Sequence, residues 1–203
     1  MDIFVLDIET KNTFAEIGPP RLARSSGEVG GRNDQQRELL AKMEISVVCV
    51  YSYNQGAYLN FDETEFANLK SLLSTPALLV GFSSNKFDLP ILARTLDIDF
   101  SSYHRVDLSD LIEQQTGRLI SLDALAQTNL NRGKTHQNIA APLLYKNEKI
   151  DELKAYCQND VELTKDLYDL VKKQGFLLIP SKTEEFPSKV ELSVSEQALP
   201  PFT

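Results

Sequence analysis

The ten residues that open the chain, MDIFVLDIET, constrain its fold more than any other stretch. Successive strand residues face opposite ways, so Ile3 and Val5 line one face while Phe4, Leu6 and Ile8 line the other. A strand apolar on both faces is covered on both, which makes it the centre of a helix-flanked sheet and not a solvent-facing hairpin. Its last residues break the apolar run. Asp7 and Glu9 share one face, so two like charges converge there. Alone they repel and one tends to take up a proton, whereas a divalent ion favours both ionised forms. A strand that simply ends in solvated acids accounts for this pair equally well.

Downstream, the pattern predicts an antiparallel meander that continues into parallel strands. Residues 45–53 (ISVVCVYSY) and 57–61 (AYLNF), separated by Asn54, Gln55 and Gly56, read as a hairpin. A helix over 63–74, a buried strand over 77–82 (ALLVGF) and a helix over 87–96 follow, with Pro90 tolerated in the first helical turn. A short strand at 105–107, helices at 108–115 and 122–127 and a long helix over 149–174 complete the expected α/β domain, residues 1–178. Residues 18–37, rich in Gly and Pro and carrying Arg21, Arg24, Arg32 and Arg37, read as a long mobile loop. Residues 179–203, rich in Pro, Ser and Glu, read as a tail that does not join the core.

Composition narrows the function classes. With 42% hydrophobic and 25% charged residues the chain is a globular protein. No apolar run approaches the roughly 20 residues of a membrane helix and no signal peptide opens the chain, so a cytoplasmic protein without membrane contact is expected. Cys49 and Cys157 lack CxxC spacing and read as reduced core residues, with no disulfide and no zinc site. A net charge of -8 excludes a broad basic coat for nucleic acid. It leaves room for a local phosphate site, or for clustered acids whose bound cation meets the phosphate.

Two more acids stand where packing alone does not put them. The last helix carries an apolar stripe of Leu153, Cys157, Thr164, Leu167 and Val171, and Asp160 lies inside it. A buried carboxylate calls for a cation or a dense hydrogen-bond set, and a buried Arg partner would serve as well. Tyr156, four residues earlier, projects from the same helix face. Asp88 follows ALLVGF and opens a helix, where an acid is also favoured by the helix dipole alone.

The order of these features, DxE on the first strand, Asp at a later strand-to-helix junction and YxxxD on the last helix, resembles the DEDDy 3'-5' exonuclease family. The matching segments are FVLDIET, VGFSSNKFDLPIL and LKAYCQNDVELTKDLY, within residues 1 to about 175. The similarity is closest to compact bacterial and archaeal exonucleases allied to family B polymerase proofreading domains. It implies an RNase H-like fold and removal of nucleotides from single-stranded 3' ends, DNA favoured over RNA, with release of nucleoside monophosphates. It implies two divalent cations, Mg²⁺ or Mn²⁺, which in such sites clamp an in-line displacement at roughly 3.5 to 4 Å from each other. By carry-over Asp7 bridges both ions, Glu9 and Asp160 complete the shell of one, Asp88 supports the other, and Tyr156 orients water and phosphate. Those relatives carry Asn five residues before the second-motif Asp, where this chain has Ser83, with Asn85 nearby. Thr10, Phe14, Ser83, Asn85, Phe87 and Lys134 are the expected substrate contacts, Phe14 being the better placed to stack a terminal base.

Other features carry less. Gly133, Lys134 and Thr135 mimic the end of a phosphate-binding loop, but Thr128 stands where its leading Gly belongs. His104 has no second ligand or nucleophile beside it. The C-terminal SEQALPPFT suits docking on a replication or repair partner. Two other functions stay open: a catalytically silent binding module of the same fold, and a nuclease subunit active only with a helicase or polymerase.

Overall fold

The structure, a computed structural model, describes residues 1–18, 31–133, 141–181 and 186–194, with backbone alone for 31–36. Its centre is a five-stranded mixed sheet in the order β3-β2-β1-β4-β5, built from β1 (Asp2–Thr10), β2 (Ile45–Ser52), β3 (Ala57–Asp62), β4 (Ala77–Gly81) and β5 (His104–Asp107). The strand read as central is central: β1 pairs antiparallel with β2 on one side and parallel with β4 on the other. The meander thus continues into parallel strands, and β1, β4 and β5 end at a common edge.

Both faces of β1 are covered, as its composition requires. Phe4, Leu6 and Ile8 join a core with Leu69 and Leu73 of α3 (Phe66–Leu73) and Ile91 and Leu92 of α4 (Asp88–Leu96). Val5, with Val47 and Cys49, joins the other core, under α5 (Leu108–Thr116), α6 (Leu122–Leu130), α7 (Ala141–Lys146) and α8 (Ile150–Gln174). The 25-residue α8 carries Asp151 and Glu152 in its first turn and Lys172 and Lys173 in its last, each sign matched to the helix dipole. Gly175 ends it at φ 76°, donating its N–H to the Val171 carbonyl, where a left-handed residue is required and glycine adopts it without a Cβ penalty.

Two expectations change. Part of the loop expected over 18–37 is helical: α2 runs Gly31–Lys42, while 19–30 lie outside the described residues, and Arg21 and Arg24 with them. Its GRNDQQRELLAK is made largely of helix-forming polar residues, and Leu40 is the buried anchor that periodicity alone does not reveal. A short α1 (Phe14–Ile17) precedes it, closed by a capping box between Thr13 and Glu16. The tail does not stay apart from the core. Ser188–Glu191 forms β7 and pairs antiparallel with β6 (Phe176–Ile179), and Leu192 is only 6% exposed. Pro and Ser richness hid a strand whose apolar anchors, Val190 and Leu192, are two residues apart.

Candidate active site

β1 delivers two of the acids. Asp7 and Glu9 stand opposite Cys49 and Val47 of β2, on the face that α8 covers. After Glu9 the register shifts: Thr10 pairs with Ile45, leaving Ser46 as the extra residue of a β-bulge. Such bulges re-aim side chains at the ends of strands. From α8, Asp160 comes in beneath the strand at 5% exposure. Ligand oxygens of Asp7, Glu9 and Asp160 all lie within 4.8 Å of one another. These hard oxygen donors, converging from the first strand and the long helix α8, fit a divalent cation of the Mg²⁺ or Mn²⁺ type.

The fourth acid enters from α4. Asp88 is 4% exposed, and its Oδ1 accepts a hydrogen bond of 3.0 Å from the backbone N–H of Ile8, the residue between Asp7 and Glu9. Burial pushes its carboxyl up to about 7, against the Ile8 N–H that favours the ionised form; the nearby charges of Asp107 and Asp160 push the same way as burial. An acid so held carries charge at a cost that a nearby cation offsets. Tyr156 is half-buried on α8, one turn before Asp160. Between them Cys157, read from sequence as a core cysteine, packs its Sγ 3.4 Å from the Asp7 carbonyl oxygen and 3.7 Å from Asp7 Oδ2. Its thiol is held well above its ordinary range by burial and by the charges of Asp7 and Glu9, so it stays protonated as a weak donor.

The expected substrate contacts divide. Phe14, 46% exposed on α1, and Phe87, the residue before Asp88, meet edge to face at 5.7 Å. Thr10 turns its hydroxyl to the Asn12 carbonyl at 2.9 Å, a local use. Asn85 donates its side-chain amide to Asp110 Oδ2 at 2.9 Å, and Ser83 gives its backbone N–H to Asp107. Lys134 lies outside the described residues. Elsewhere Lys11 pairs with Glu44 and Glu63, Lys86 with Asp110 and Glu113, and Lys146 with Glu16. Asp107, which no motif of the sequence marks, caps α5 from its N-terminus and also accepts the Ser83 N–H.

Comparison with known proteins agrees with this architecture. The family described as 3'-5' exonuclease matches residues 32–175, from α2 through α8, a span that starts beyond Asp7 and Glu9. Among solved structures the chain is similar to the family B DNA polymerase of the hyperthermophilic archaeon Pyrobaculum calidifontis, with a TM-score of 0.57 and 16% identity over 84% of this chain. The aligned region is 24% of that polymerase, and at this identity the likeness is one of fold. No curated protein matches the sequence.

Proposed function

Because the chain belongs to the 3'-5' exonuclease family, hydrolases of phosphodiester bonds, we propose that it removes nucleotides from single-stranded 3' ends at the acid cluster of β1, α4 and α8. The convergence of Asp7, Glu9 and Asp160 within 4.8 Å carries this reading. Asp7, Glu9 and Asp160 would hold a divalent cation, with Asp88, bonded to the Ile8 N–H between Asp7 and Glu9, in support. Bound there, such ions polarise the phosphate and acidify water near it. The protein's own part is positional. Tyr156 stands one turn from Asp160, so its hydroxyl orients the attacking water and the terminal phosphate by hydrogen bonding. Phe14, with Phe87 at its edge, stacks the terminal base, an interaction that tolerates any base.

DNA is the favoured substrate, supported by the likeness to a DNA polymerase. A replication or repair partner engaging residues 195–203 belongs to the same reading. The test is a time course on 5'-labelled single-stranded DNA and RNA of one sequence, with Mg²⁺, Mn²⁺ or EDTA, alongside Asp7→Ala. A metal-dependent ladder shortening from the 3' end and missing in the variant is expected. No product on either strand, with protein shown to be folded, overturns the reading.

A further inference from the structure

The loop between β4 and α4 is held by a carboxylate that belongs to neither element. Asp107 ends β5, where it pairs in parallel register with Gly81 at the end of β4. It is 2% exposed, yet its two oxygens take five donors. Oδ1 accepts the backbone N–H of Ser83 at 2.8 Å, of Ser109 at 3.0 Å and of Asp110 at 3.3 Å. Oδ2 accepts the N–H of Asn85 at 2.9 Å and the Ser84 hydroxyl at 3.4 Å. Capping α5 accounts for two of these five. The other three belong to a loop 22 to 24 residues earlier in the chain.

That loop adopts a conformation it does not prefer. Ser83 has φ 61°, left-handed and unfavourable for a residue with a Cβ. The turn then folds back so closely that a Cβ on Gly81 would collide with the Ser84 side chain. From the loop so held, Lys86 N–H reaches the Ser83 carbonyl at 3.2 Å and Leu89 N–H reaches the Ser84 carbonyl at 2.9 Å, setting the first turn of α4. Asp88 leaves from that turn and meets the Ile8 N–H between Asp7 and Glu9. The path from Asp107 to the acid cluster is therefore continuous: carboxylate, loop backbone, Asp88, β1.

We propose that Asp107 is a positioning residue of the exonuclease site, fixing through the loop 83–87 where Asp88 stands against β1. The proposal rests on the reading of Asp88 as part of the cation-binding set. Groups that orient metal ligands from behind typically alter affinity or activity 10- to 100-fold when removed.

The experiment is a Mn²⁺ titration followed by electron paramagnetic resonance, together with kcat and KM on a single strand, for the wild type, Asp107→Asn and Gly81→Ala. Gly81→Ala displaces the same loop while leaving Asp107 and its cap of α5 intact, so it keeps the test open if Asp107→Asn fails to fold. Both variants are expected to weaken Mn²⁺ binding about tenfold or more and to lower kcat with KM nearly unchanged. A purely structural role for Asp107 lowers the melting temperature and leaves the titration of folded protein where it was. Superimposable Mn²⁺ titrations for the wild type and both folded variants overturn the proposal alone. A wild type that binds no Mn²⁺ overturns the reading of the site, and this proposal with it.

Discussion

At the scale of single residues, the acids and the tyrosine separate by what each removal takes away. Asp7→Ala and Asp160→Ala delete converging oxygens, and turnover is expected to fall at least about a hundredfold while circular dichroism stays native, since each change also relieves the crowding of like charges. Tyr156→Phe keeps every carboxylate and loses one hydroxyl, so a smaller loss, about tenfold, is expected in kcat. A loss from Tyr156→Phe equal to that from Asp7→Ala would give the phenol a larger share than positioning. Cys157 illustrates why burial alone misleads. Its spacing marks a core residue, and it is one, but its sulfur also touches Asp7.

Elements are where sequence and structure part company in instructive ways. β1 was legible because both of its faces are apolar, and α8 because its stripe is long and broken by one acid. The placement of Asp7, Glu9 and Asp160 together follows from these two elements packing face to face. By contrast, α2 has little apolar periodicity to read, and β7 is a four-residue strand whose anchors sit among Pro, Ser and Glu. Asp107 was illegible for another reason: a helix cap and a loop anchor look alike until the loop is seen folded against it.

The docking of α8 on the sheet edge offers a prediction at this scale. Lys154 pairs with Asp62 at 2.7 Å and with Glu65 at 3.0 Å, tying α8 to the end of β3 and to the 3₁₀ turn Glu63–Glu65. The Lys154 hydrogen bond, with those of Thr64, lowers the Asp62 carboxyl from its ordinary 3.8 to about 2. A depressed carboxylate stabilises the fold above its ordinary value and loses that contribution as pH falls through about 2. Both groups are partly exposed, so Lys154→Met is expected to cost about 1 kcal/mol or less near pH 6. The difference from wild type in urea denaturation should shrink as the pH approaches 2.

For the molecule as a whole, the C-terminal hairpin matters because it closes one of the two cores. Truncation after residue 186 removes β7 and with it buried Leu192, leaving Leu177 and Ile179 of β6 uncovered. A fully buried aliphatic side chain contributes about 1.5–3 kcal/mol, so the truncated chain is expected to melt several degrees lower, as read by calorimetry. An unchanged melting temperature would mean that residues 187–194 add nothing to the core they touch.

The gathering of like charges from distant segments has a consequence for how the protein's stability is ordered. Asp7 and Glu9 come from the first strand, Asp88 and Asp160 from helices far along the chain, and all four draw close only when the chain is folded. Folding in a chelator therefore compresses negative charge, whereas folding in the presence of a divalent ion releases that load in proportion to how tightly the ion binds. A variant lacking one acid escapes the repulsion and forfeits the ion. Asp7→Ala is thus expected to melt above the wild type in EDTA and below it in millimolar Mn²⁺, a crossing that calorimetry can follow without any nucleic acid. The clustered acids would then leave the metal-free chain self-strained, a load that a bound cation would lift.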